Sequence, residues 1–136
     1  NGFHLNGNQK GGPGWGNGDR PFTLEGNFIA MEAIHEMLLQ TRGGVLVIFP
    51  ATPDSWADIA FRHLLAEGGW RVSAERKGGG TTWLEVCSTA GGTLRLQGPW
   101  PGLALNGRRI EADAHGIVEV AAKPGDVLAF SPVEVA

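Results

Sequence analysis

Between positions 27 and 42 the apolar residues recur at helical spacing. Phe28, Met31, Ile34 and Leu38 mark one face, while Ile29, Ala33, Met37 and Leu39 spread around the rest. Polar positions are confined to Glu32, Glu36 and Gln40, with His35 beside them. The spacing predicts a helix over 27–42, with Asn27 as its N-cap and Gly43-Gly44 as its stop. A helix apolar over most of its circumference is expected to be buried on several sides.

After Gly44 the period changes. Val45-Leu46-Val47-Ile48-Phe49 is a continuous apolar run closed by Pro50, as suits a buried strand. Residues 50–58 are turn-like. Residues 59–66 have helical propensity, but the Gly68-Gly69 stop leaves a helix little room, and they are read as a strand. Alternation then predicts strands over 70–75, 82–88 and 93–97, followed by short strands over 103–105, 116–120 and 126–130. Asn106-Gly107 and Pro124-Gly125 are read as turns. Many short strands separated by turn signals predict an antiparallel β-sandwich. The fold class is thus mainly β with one long N-terminal helix, and the domain boundary falls between an N-terminal segment, 1–42, and a β domain, 43–136.

Residues 1–26 hold little hydrophobic period. Phe3, Leu5, Trp15 and Phe22 are the sizeable apolar anchors in a stretch rich in Gly and Asn, which reads as loop. A structureless loop of this length is uncommon in a compact domain unless it is functional or disordered. This loop leads directly into an apolar helix, so the chain is expected to be the C-terminal piece of something longer, with further helices packed around 27–42. Its compartment is then not readable from its N-terminus, and cytoplasmic and extracytoplasmic locations both stay open.

Composition narrows the partners. The net charge is −3 and no basic run is present, so the electrostatic footprint of a nucleic-acid binder is missing. No apolar run reaches the roughly 18 residues of a membrane span. A single cysteine, Cys87, leaves no internal disulfide framework and no cysteine-based zinc site, and it is read as a small hydrophobe in a strand. His4, His35, His63 and His115 are scattered without metal-ligand spacing. Neither a metal nor another cofactor is expected.

The candidate chemistry lies just ahead of the helix, in Arg20-Pro21-Phe22-Thr23-Leu24-Glu25-Gly26-Asn27-Phe28. Glu25 sits at the helix mouth, where unpaired N–H groups and the helix dipole favour a carboxylate. Such a residue is either an active-site group or a helix-end cap.

From Phe22 to Gln40 this pattern resembles the glycoside hydrolase family 95 α-L-fucosidases. The resemblance runs through Phe49-Pro50-Ala51-Thr52-Pro53-Asp54-Ser55-Trp56 and Leu65-Ala66-Glu67-Gly68-Gly69-Trp70-Arg71-Val72 to the 88–96 segment with Gly91-Gly92, and so covers residues 20–97 in order. It implies an (α/α)6 barrel, whose last inner helix lies here over 27–42, followed by the β-sandwich. It also implies an inverting hydrolase in which a carboxylic acid protonates the leaving oxygen and water attacks the opposite face. In that family an asparagine polarised by an aspartate holds the water, and no metal is needed. The aspartate belongs to an Asp-Gly-Asn-Phe-Gly motif matched by Glu25-Gly26-Asn27-Phe28-Ile29, so Glu25 is the catalytic residue the resemblance carries over. The general acid and the water-holding asparagine would lie upstream, and this chain alone is expected to be inactive.

Two departures stand out. Glu25 is one methylene longer than the motif's aspartate, and Ile29 replaces its last glycine, which would have allowed closer backbone approach. They point to a divergent branch with another sugar preference or altered chemistry.

Other residues fit a carbohydrate partner of fucosyl or galactosyl type. Arg20 either clamps a hydroxyl or makes an ordinary ion pair. Asn27 is a helix cap or a substrate ligand. Trp15, beside the amides of Asn6, Asn8 and Gln9, offers an aromatic face to a sugar ring, unless the segment is a disordered tail. Trp56, Trp70, Trp83 and Trp100 are read as packing residues before they are read as a glycan platform. A second reading keeps the sandwich as a non-catalytic carbohydrate-binding or structural module with the helix as its anchor. A third, a lyase or phosphorylase sharing the layout, is disfavoured for a lyase because the chain has no tyrosine to carry the proton.

Overall fold

The computed structural model describes residues 24–133; Trp15 and Arg20 lie outside them. One helix, α1 (Leu24–Leu38), passes directly into ten described strands: β1 (Leu39–Arg42), β2 (Val45–Ile48), β3 (Ile59–Ala66), β4 (Trp70–Lys77), β5 (Gly80–Ser88), β6 (Gly92–Gln97), β7 (Leu103–Leu105), β8 (Arg108–Ile110), β9 (Ile117–Ala122) and β10 (Val127–Pro132). Among the described residues the chain is mainly β with one helix ahead of the strands, and the sheets are arranged as a sandwich. A compact unit begins at Glu36 and holds all the described strands, whereas α1 up to His35 belongs to another.

The helix differs from expectation at both ends. It starts at Leu24, which puts Asn27 inside the first turn rather than at the cap. It ends at Leu38, because Leu39–Arg42 pairs with Val45–Ile48 as an antiparallel hairpin. Gly43 and Gly44 are therefore not a helix stop. Both have positive φ (+56° and +78°), as a tight two-residue hairpin turn requires. Along its length Phe28, Ile29, Met31 and Ile34 are 62%, 70%, 65% and 47% exposed. Leu38, at the end of the helix, does reach the core.

One sheet has the order β1-β2-β6-β9 and the other β3-β4-β5-β10-β7-β8. All described pairings are antiparallel except β2 with β6, which run parallel at Leu46↔Leu96. That exception follows from the chain path. After β2 the chain builds three strands of the larger sheet before it returns to the smaller one as β6.

Alternation gives each sheet one apolar face. Leu39, Leu46, Ile48, Leu94, Leu96 and Val118 from the four-stranded sheet join Phe61, Val72, Ala74, Leu84, Val86, Leu128 and Phe130 from the six-stranded one in a single buried cluster. Full burial of a leucine-sized side chain contributes about 1.5–3 kcal/mol, so this cluster supplies most of the favourable energy. The two buried polar side chains named in the core are bonded. Ser73 Oγ accepts from His63 N (3.0 Å) and Ser88 Oγ from Gly91 N (2.9 Å).

Residues 59–66 do form a strand, with an irregularity. The register with β4 slips between Phe61 and Leu64, and His63 has φ +59°. A bulge of this kind twists an edge strand and discourages further pairing. The Asn106-Gly107 turn closes the β7–β8 hairpin and does more besides. Asn106 Oδ1 accepts from Ala129 N (2.9 Å), and Nδ2 donates to Val127 O (3.4 Å), which stitches the turn to β10.

Candidate functional site

Of the sequence-derived site residues, Glu25 and Asn27 are placed together in the first turn of α1. Four N–H groups at a helix start have no partner within the helix, and the positive end of the dipole lies there. Asn27 is half-buried. Arg20 and Trp15 fall outside the described residues.

The other end of α1 is tied down by specific partners. Phe49 N donates to Leu38 O at 2.8 Å and Ala51 N to Met37 O at 3.3 Å. Gln40 Nε2 donates to Glu36 O at 2.8 Å. The Phe49–Leu38 bond extends the β1–β2 ladder by one rung past Leu39↔Ile48. Phe49 itself has φ +53°, and its ring meets Phe61 edge-on at 5.3 Å with an interplanar angle of 68°. The sequence carries no signal for this arrangement, since a residue before proline is biased toward extended backbone.

On the six-stranded sheet, Arg62 lies over the Trp83 ring at 4.7 Å from its centroid. Its Nη1 donates to Phe61 O and Ala74 O, and its Nη2 reaches Glu75 at 3.5 Å. Lys77 Nζ approaches the same carboxylate at 2.7 Å. The Lys77 hydrogen bond and charge, helped by Arg62, hold the Glu75 carboxyl below its ordinary range, and Glu75 in turn raises Lys77. These groups border a shallow depression of about 340 Å³ lined by Asp58, Ile59, Ala60, Glu75, Arg76 and Lys77. Its polar groups are already engaged: Asp58 Oδ1 accepts from Gly78 N, and Arg76 bonds Gly79 O and Thr52 Oγ1. This is a locked strand end, with its charges spent on one another.

Three tryptophans of the strand region are engaged separately. Trp70 is in the core, Trp100 Nε1 donates to Thr81 O (2.6 Å) while its ring packs against the core, and Trp83 is covered by Arg62. Among the described residues no cluster of His, Cys, Asp and Glu is grouped to hold a metal ion, and no helix is long and apolar enough to cross a membrane. No family model matches the chain, and no curated protein matches it. Glu25 lies on α1, whose carbonyls at Glu36, Met37 and Leu38 are held by Gln40, Ala51 and Phe49.

Proposed function

We propose that this chain is the C-terminal region of a glycoside hydrolase similar to the inverting α-L-fucosidases and α-L-galactosidases of glycoside hydrolase family 95. The observation that carries the reading is the placement of Glu25-Gly26-Asn27-Phe28, the segment resembling the family's Asp-Gly-Asn-Phe, in the first turn of a helix that runs without a loop into a β-sandwich. In this reading Glu25 polarises an asparagine upstream of the chain. That asparagine orients the water attacking the anomeric carbon, while an upstream carboxylic acid protonates the leaving oxygen. The exposed Phe28, Ile29, Met31 and Ile34 support it, because an apolar helix face of this size calls for packing partners, here the other barrel helices. Arg20, Asn27 and Trp15 would contact the sugar.

The test compares the full-length protein with its Glu25→Gln variant on aryl α-L-fucoside and α-L-galactoside. Gln keeps the shape and removes the charge. The expected outcome is cleavage of one glycoside by the wild type and a loss of about a hundredfold or more in turnover in the variant. An active wild type with an unaffected variant would make Glu25 a helix cap. The second reading, a non-catalytic carbohydrate-binding or structural sandwich, is favoured by the self-contained core of the unit that begins at Glu36. A wild type that cleaves neither glycoside would move the balance to it.

A further inference from the structure

The outer strand of a sheet presents unpaired N–H and C=O groups, a template on which another chain can build. Among the described strands the edges are β1 and β9 in one sheet and β3 and β8 in the other. β8 has three residues, Arg108-Arg109-Ile110, β3 carries the bulge between Phe61 and Leu64, and β1 has four residues. Short length, charge and bulges all blunt an edge. β9 has six residues and an unbroken register with β6, from Gly92↔Ala122 to Gln97↔Ile117. Gly98 N donates to Gly116 O at 2.9 Å, one rung beyond that register, and this bond sets the phase of the ladder. Opposed residues in an antiparallel ladder alternate between exchanging both bonds and turning their polar groups away. Gly116, Val118, Val120 and Ala122 therefore bond β6, while Ile117, Glu119, Ala121 and Lys123 turn N–H and C=O to the outer edge.

The first and last of these outward residues are engaged in the same way. Ile117 N donates to Asp113 Oδ1 at 2.9 Å, and Ile117 O accepts from Asp113 N at 2.9 Å. Lys123 N donates to Asp126 Oδ2 at 2.8 Å, and Lys123 O accepts from Asp126 N at 3.1 Å. Each aspartate thus supplies the pair of bonds that a neighbouring strand would supply, and Glu119 and Ala121 are left between them.

We infer that the outer edge of β9 is a strand-pairing surface for a second copy of this chain, and that Asp113 and Asp126 keep it closed. Register selects the second copy. A two-fold axis at Val120 sets Glu119 of each copy against Ala121 of the other, so every open N–H meets an open C=O. The same register sets Ile117 against Lys123, on the outer rungs that the aspartates occupy. Glu119 then lies diagonal to Lys123 of the other copy, where opposite charges reach one another. With both clips in place only the central rungs can form, and a few exchanged hydrogen bonds do not offset the freedom lost on association.

The experiment follows self-association of the full-length protein by sedimentation velocity over a concentration series. Wild type is compared with Asp113→Ala, Asp126→Ala and the double variant. Alanine removes the side-chain acceptor and leaves each turn on a single bond, free to swing off the edge. Each outer rung joins Ile117 of one copy to Lys123 of the other, so both clips have to open. Either single variant is expected to match wild type, and the double variant to dimerise with a dissociation constant lower by about tenfold or more. Adding Ala121→Pro, whose lost N–H points away from β6, is expected to restore the wild-type behaviour. A double variant that associates no more than wild type overturns the inference. Association that survives Ala121→Pro does the same, as does a single variant that associates as strongly as the double. If the double variant does not fold, the two single variants are mixed in equal amounts, which opens one outer rung between unlike copies. Pairing in the mixture beyond that of either variant alone supports the closed edge, and its absence overturns it.

Discussion

Asp113 shows how much one exposed carboxylate can organise. Its Oδ1 accepts from His115 N (2.8 Å) and Ile117 N (2.9 Å), while its own N–H donates to Ile117 O (2.9 Å). The backbone N–H of Ile117, then that of His115, favours the charged form and lowers the Asp113 pKa below its ordinary value of 3.8. A carboxyl whose pKa is lower in the folded than in the unfolded chain stabilises the fold above its unfolded value. That contribution is lost as pH falls through the folded one. Asp113→Asn should therefore melt at a lower temperature than wild type at pH 7. The gap should close as the pH drops from about 4 toward the lowered value. Thermal unfolding followed across pH checks this, and a gap of constant size at pH 7 and pH 3 would remove the charge from the explanation.

At the scale of elements, the glycines separate two kinds of constraint. A Cβ at Gly44 would meet no atom within 4 Å, so only its φ of +78° resists substitution. A Cβ at Gly91 would lie 2.9 Å from Pro124 Cδ and 3.2 Å from Ala122 O, at a φ of +76°. Gly44→Ala is expected to cost about 1 kcal/mol through backbone strain, and Gly91→Ala about 2–3 kcal/mol, since overpacking adds to it. Urea unfolding measures both, and equal costs would refute the steric distinction. Most strands were legible at this scale, because alternation between turn residues is strong in β4, β5 and β6. Two were not. Leu39-Gln40-Thr41-Arg42 contains three good helix formers that extend the helical pattern, and only pairing with β2 makes it a strand. Arg108-Arg109-Ile110 carries no apolar alternation and forms a strand by pairing with β7 across Asn106-Gly107.

For the whole molecule, the unit from Glu36 onward holds the buried cluster shared by both sheets. It has roughly 100 residues, a usual size for an independent domain. A chain of residues 36–136 is accordingly expected to unfold cooperatively, with coincident near- and far-ultraviolet circular dichroism transitions. Non-coincident transitions, or a product without a near-ultraviolet signal, would show that the sandwich needs α1 to pack.

The sequence by itself determined the fold class, the presence of a helix ahead of the strands and most strand positions. These are local: side-chain period and turn chemistry act over a few residues and are written in order along the chain. Tertiary structure decided which strands share a sheet, the parallel pairing of β2 with β6, the end of α1 at Leu38 and the positive φ of Phe49. Each of these depends on partners distant in sequence or on a ladder that overrides local propensity. Where the chain had to satisfy the last carbonyls of a helix and the first rungs of a sheet with the same few residues, long-range hydrogen bonding outweighed helix propensity.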